Sequence, residues 1–181
     1  MSRGRTRGWL ALLIALALGY AVLAHWLTTE QGRTALGGLG PYVPWFYFLQ
    51  HIAMFIALAV WFGASLRAGR EALVTRFALL VEGALSPAGL AYTRGATLAW
   101  AVFSAAVATA SALLYFLAPL ALWSLFANLL TLPLVGAMFV AEFLVRIRVC
   151  PELSHGGLLR GVTRSVRAYW ESGARPTTGP R

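Results

Sequence analysis

The stretch "TLAWAVFSAAVATASALLYFLAPLALWSLFANLLTLPLVGAMFVAEFL", residues 97–144, carries a single charged side chain, Glu142, and a single break, Ala118-Pro119. A helix needs about 20 apolar residues to cross roughly 30 Å of hydrocarbon. The run is long enough to cross twice, and Ala118-Pro119 is where it must turn. It predicts two spanning helices, Thr97–Leu117 and Leu120–Leu144, folded as a tight antiparallel hairpin.

Two further apolar segments lie upstream, Trp9–Leu27 and Pro44–Leu66. The whole chain is 59% hydrophobic and only 12% charged, which leaves too little polar surface for a soluble domain of 181 residues. A separate soluble catalytic domain is not expected at this length. The expectation is an all-α integral membrane protein with four transmembrane helices.

The arginines orient it. Arg3, Arg5 and Arg7 precede the first segment, Arg67, Arg70, Arg76 and Arg94 separate the second from the third, and seven more follow the fourth. Only Arg33 falls in the other compartment. The positive-inside rule then places both termini in the cytoplasm, in the inner membrane of a bacterium. The absence of Lys and Asp fits the codon usage of a GC-rich bacterial genome. The net charge of +9 is explained by this topology, so no nucleic acid partner is expected. Trp9, Trp26, Trp45, Tyr47, Trp61, Trp100, Tyr115 and Trp123 sit near span ends, where amphipathic rings favour the headgroup level. One alternative stays open: Arg3–Arg7 with an apolar run ending at Val22-Leu23-Ala24 also has the layout of a signal peptide cleaved after Ala24, which would leave three spans.

Residues 1–149 form the expected transmembrane domain and 150–181 a basic, partly disordered cytoplasmic tail. "TTEQGRTALGGLGP", residues 28–41, is Gly-rich and reads as a short external loop. Between the second and third spans, Leu73, Val74, Phe77, Leu80, Val81 and Ala84 share one helical face, with Glu71, Thr75 and Glu82 opposite. That pattern predicts a short amphipathic interfacial helix stopped by Ser86-Pro87. In the tail, Leu158, Leu159, Val162 and Val166 alternate with Arg160, Arg164 and Arg167, which suits contact with anionic lipids or an acidic partner.

Glu142 demands a cation, because a lone carboxylate in hydrocarbon is costly. Counting from the corner at roughly 1.5 Å per residue, Arg94 and Glu142 both lie about 35 Å down their helices. The acid is therefore expected near the inner headgroups, pairing with Arg146 through the i,i+4 relation or with Arg94 across the hairpin, as a structural ion pair or headgroup contact. The remaining intramembrane polar residues are His51, Gln50, Asn128 and Ser124. Asn128 should seek a partner on another helix, Gln50-His51 should be buried, and Pro133 should kink the fourth span. Ser104, Ala108 and Ala112 form a small-residue packing stripe.

His25 and His51 are of the residue type that ligates haem axially, but their depths differ and no second pair exists, so no cofactor is expected. Cys150 is the single cysteine, and no clustered ligands, phosphate loop or nucleophile with its base stands out. No catalytic or metal residue is assigned.

The segments "LVTRFALLVEGALSP" (73–87), "YTRGATLAW" (92–100) and "LWSLFANLLTLPLVGAMFVAEFLVRIRV" (122–149) resemble a family of small bacterial inner-membrane proteins without an established activity. Its members are encoded within gene clusters for aryl-polyene and xanthomonadin-type pigment lipids. Tyr92, Thr93, Arg94, Thr97, Trp100, Glu142, Arg146 and Arg148 carry the resemblance. It implies a pathway rather than a reaction, and the leading expectation is a non-enzymatic accessory protein supporting synthesis or delivery of an aryl-polyene or fatty-acyl lipid at the cytoplasmic face. The partners it implies are anionic lipids, an acyl-carrier protein or other membrane subunits. The alternative is a subunit of a membrane transporter or lipid-modifying enzyme, with a polar site around Arg94 and Glu142.

Overall fold

A computed structural model describes residues 3–150, and among these there is no strand. The tail residues Arg160, Arg164 and Arg167 lie outside the described residues. The helices are α1 (Arg3–Thr28), α2 (Glu30–Ala35), α3 (Val43–Ser65), α4 (Leu73–Glu82), α5 (Pro87–Leu117), α6 (Leu120–Ser124) and α7 (Thr131–Val149). A 3-10 turn, Gly37–Tyr42, leads into α3, and a π-helical segment, Leu125–Leu130, joins α6 to α7. Among the described residues three continuous helical runs are long and apolar enough to cross a membrane: Gly37–Ser65, Pro87–Leu117 and Leu120–Val149. The chain is therefore an all-helical protein suited to a lipid bilayer.

Contacts group the chain into two units. Among the described residues, one comprises residues 3–60 and Ala101–Phe139, the other Trp61–Trp100 and residues 140–150.

In the first unit, Phe55 packs on Val107 and Ala108 of the small-residue stripe, with Ile52, Phe103 and Phe126 around them. At the α5–α6 corner the ring of Tyr115 stacks on Phe48 at 4.1 Å, and Trp123 closes edge-on at 5.1 Å from Tyr115. Trp123 is fully buried and donates its indole N–H to Ser111 Oγ at 3.0 Å. It is a core residue, not an interfacial anchor. Proximity to a span end does not distinguish the two, because the tight Ala118-Pro119 corner folds the ring inward.

Residues 28–41 are not a loose loop. Thr29 caps α2 by accepting from Gly32 N–H at 3.3 Å, and the 3-10 turn follows directly. Gly32 lies against the Trp26 carbonyl and Gly40 against the Arg33 carbonyl, so closely that a Cβ at either position would overlap backbone atoms. Here the glycines permit close backbone approach rather than flexibility.

The irregularity expected at Pro133 takes the form of a π segment one turn earlier. Pro133 has no N–H and its ring crowds the carbonyl four residues back, Leu129. The backbone adapts with an i→i−5 bond from Thr131 N–H to Phe126 O, to which Thr131 O–H also donates at 2.9 Å. Such π turns inside α-helices are a recurrent response to an inserted residue or a broken ladder.

In the second unit α5 begins at Pro87, ten residues before the expected Thr97. Ser86 Oγ accepts from Gly89 N–H at 3.1 Å, and Pro87 occupies the first helical position, where its missing donor costs nothing. The amphipathic helix α4 is present, but with Thr75 buried and Phe77, Leu80 and Val81 exposed. The reason is a hydroxyl clasp. Thr93 O–H donates to Gly89 O at 2.9 Å, so its oxygen accepts from Thr75 O–H at 2.7 Å. The first two N–H groups of α4 are met by side chains from elsewhere, Leu73 N–H by Ser65 Oγ at 3.0 Å and Val74 N–H by Thr97 Oγ1 at 3.2 Å. These replace the N-cap side chain that Ala72 cannot supply.

Candidate functional site

Within the second unit, α4, the first turns of α5 and the end of α7 enclose a groove of about 200 Å³. Val74, Phe77 and Val81 of α4 form its apolar wall, Glu82 stands at that helix's end, and Tyr92, Glu142 and Arg146 form its polar side. Glu142 Oε1 accepts from Tyr92 O–H at 2.7 Å, and the same hydroxyl lies 3.0 Å from the Glu142 carbonyl. Arg146 Nε stands 3.8 Å from Glu142 Oε1, one turn on, and its guanidinium also lies over Phe143 at 5.6 Å. The carboxylate is mostly covered, at 15% exposure, while Arg146 reaches outward at 37%.

Arg94 is not in this group. Its Nη2 donates to Leu66 O at 2.7 Å, just past the C-terminal end of α3, where a cation favours both the unpaired carbonyls and the helix dipole. Depth placed residues 94 and 142 together, but depth alone leaves the azimuth open. Successive residues on a helix are turned by about 100°. Tyr92 therefore faces α7, Thr93 and Thr97 face α4, and Arg94 points to the end of α3. Tyr92 is the member that depth reasoning missed. The Ser86-Pro87 helix start, read together with that angular step, was the signal available for it.

The first unit holds a separate polar cluster. Ser124 Oγ is its hub, touching Thr28 Oγ1 in a very short contact, His25 Nδ1 at 2.7 Å and Asn128 Nδ2 at 3.2 Å. Thr28 O–H is committed to the His25 carbonyl at 2.8 Å, so Ser124 donates to Thr28 and accepts from His25 Nδ1–H and from Asn128. Asn128 thus finds its partner on its own helical run, not on another. His25 beside Ser124 has the distance of a nucleophile and base, but Ser124 is 1% exposed and already spends its proton on Thr28. The cluster is a clasp between α1 and α6, with no opening for a substrate carbonyl.

His51 is buried, its Nε2–H donating to Thr131 Oγ1 at 3.1 Å because Thr131 O–H is used by Phe126 O. Its Nδ1 is left a buried acceptor without a partner. Gln50 beside it is exposed and meets Tyr20 of α1, its Nε2 donating to the phenol oxygen at 3.2 Å. The two histidines therefore engage different partners, Ser124 and Thr131. Among the described residues no three His, Cys, Asp or Glu side chains gather as metal ligands.

The chain matches no protein-family model, no curated protein and no solved structure.

Proposed function

We propose that this is a lipid-handling accessory protein of the bacterial inner membrane that holds one end of an amphiphile in the α4/α5/α7 groove. The observation that carries the reading is the groove's division into an apolar α4 wall, edged by Glu82 at the helix end, and a charged, hydrogen-bonded side on α5 and α7. Its volume, about 200 Å³, falls below the roughly 300 Å³ at which pockets begin to enclose whole ligands. It suits a headgroup with the first methylenes of a chain, the remainder lying in the bilayer. The outward apolar face of α4, with Leu80 at 82% exposure, favours immersion of that helix in the membrane interface.

The same reading takes α1 as a fourth span, with both termini cytoplasmic. It is supported by the arginine asymmetry and by the clasp that His25 and Thr28 make with Ser124. The Ala24–His25 bond lies inside the helix α1, with Ala24 fully buried, which disfavours cleavage there. The resemblance read from residues 73–87, 92–100 and 122–149 points to an aryl-polyene or fatty-acyl lipid as cargo. The rival, a transporter or enzyme subunit built around Arg94 and Glu142, loses support because Arg94 caps the end of α3.

The test is photo-crosslinking of the full chain in native membranes with a bifunctional fatty-acyl lipid. Crosslinks should concentrate on α4 and the end of α7, and Phe77→Ser with Val81→Ser should reduce them severalfold. Crosslinks spread evenly along all apolar helices, indifferent to those changes, would refute the reading.

A further inference from the structure

We infer that the groove selects a headgroup bearing a primary ammonium beside a phosphate, the chemistry of an ethanolamine phospholipid. The inference rests on the amphiphile-binding reading above and deepens it. Two acidic side chains and one basic side chain line the groove: Glu82, Glu142 and Arg146. Two carboxylates against one guanidinium leave an excess negative charge, so a purely anionic headgroup is opposed there. A simple cation would be opposed by the guanidinium of Arg146. A zwitterion answers both.

The two acids are not equivalent. Glu142 has one oxygen engaged by Tyr92 O–H and Arg146 Nε, and its carboxylate retains acceptor capacity on the other. Glu82 is the last residue of α4, before Gly83, whose φ of 77° ends the helix. There its charge adds to the negative end of the helix dipole, and no basic residue occupies the last turn to offset it. A carboxylate held at the wrong end of a helix and facing a cavity is a position that an external cation relieves. An ammonium with three N–H donors can bridge Glu82 and the open side of Glu142, while the adjoining phosphate meets Arg146. A choline headgroup offers no N–H donor, and a glycerol headgroup offers no cation.

The experiment is native mass spectrometry of the delipidated full chain, titrated separately with phosphatidylethanolamine, phosphatidylcholine and phosphatidylglycerol carrying identical acyl chains. The ethanolamine lipid should bind about tenfold more tightly than either of the others, as expected from a gained charge-assisted bond. Glu82→Gln should erase most of that advantage, and Glu82→Arg should turn the preference to phosphatidylglycerol, each variant first shown monodisperse by gel filtration. Equal affinities, or a preference for phosphatidylglycerol in the unmodified chain, would overturn the headgroup inference while leaving an amphiphile site. Lipid binding that Phe77→Ser with Val81→Ser leaves untouched for all three lipids would overturn both.

Discussion

Replacing Tyr92 by Phe removes one oxygen and nothing else, which makes it a sharp probe of what holds Glu142. Two partners compete for that role. Tyr92 O–H donates to Glu142 Oε1 at 2.7 Å, a short bond to a charged acceptor, and bonds of that kind contribute about 1.5–3 kcal/mol. Arg146 Nε lies 3.8 Å away on a side chain that is 37% exposed, and such solvent-screened pairs contribute about 0.2–1 kcal/mol. The hydroxyl should therefore dominate. Tyr92→Phe is expected to cost about 2 kcal/mol, because it also leaves a largely covered carboxylate short of a donor. Arg146→Gln should cost about 0.5 kcal/mol.

Reversible unfolding in mixed detergent micelles, titrated with a denaturing detergent, measures both. A double-mutant cycle with Glu142→Gln separates the pairs, and the coupling to residue 92 should exceed that to residue 146 by about 1 kcal/mol. If Arg146→Gln destabilises as much as Tyr92→Phe, or the coupling to Tyr92 is near zero, the assignment of the hydroxyl as principal partner is wrong.

Exchanging the charges at Arg94 and Glu142 should give no rescue, the double variant being at least as unstable as the two single changes summed, since Arg94 bonds the Leu66 carbonyl and Glu142 the Tyr92 hydroxyl; recovery in the same unfolding assay would contradict this. Thr97→Val should cost about 1–3 kcal/mol by stranding the Val74 N–H, whereas Thr97→Ser should retain most of the stability, and hydrogen exchange at the start of α4 reports the difference. Gly32→Ala and Gly40→Ala should each lower the thermal midpoint measured by circular dichroism, because a Cβ meets the backbone of Trp26 or Arg33. Ser124→Ala should destabilise more than Asn128→Ala, since it strips partners from three side chains rather than one.

Hydrocarbon imposes length and apolarity on whatever crosses it, and those two properties are written plainly along residues 44–66 and 97–144. The spanning helices were therefore legible. So was the Ala118-Pro119 corner, because a proline between two apolar runs leaves few other conformations. What escaped was angular. Arg94 and Tyr92 differ by two positions and by more than half a turn, so any argument from depth treats them alike. By sequence Thr75 falls on the polar face of α4, opposite Phe77 and Leu80, yet its hydroxyl is satisfied by Thr93 inside the protein, and Phe77 and Leu80 are exposed instead. In a chain surrounded by lipid, polarity no longer predicts which face is exposed.

The same inversion explains how the polar residues are deployed. Buried contacts between helices in both units are made by hydroxyls: Ser124 with Thr28, Thr75 with Thr93, and Thr97 and Ser65 with the backbone of α4. A hydroxyl can donate to a carbonyl of its own helix and still accept from a neighbour, so its bonding is largely met even before the helices pack. Thr93, Thr97 and Thr28 all do this. Such contacts add modestly to packing and leave little penalty if they break. Carboxylates have no such refuge, since a helix offers no free donor along its length to accept from. Glu142, in α7, and Glu82, at the end of α4, are therefore the side chains for which packing alone provides no reason. Both open onto one groove, and Glu142 already draws a phenol and a guanidinium toward it. This groove, rather than the better buried but internally satisfied cluster at Ser124, is therefore where an external ligand has polar groups left to meet.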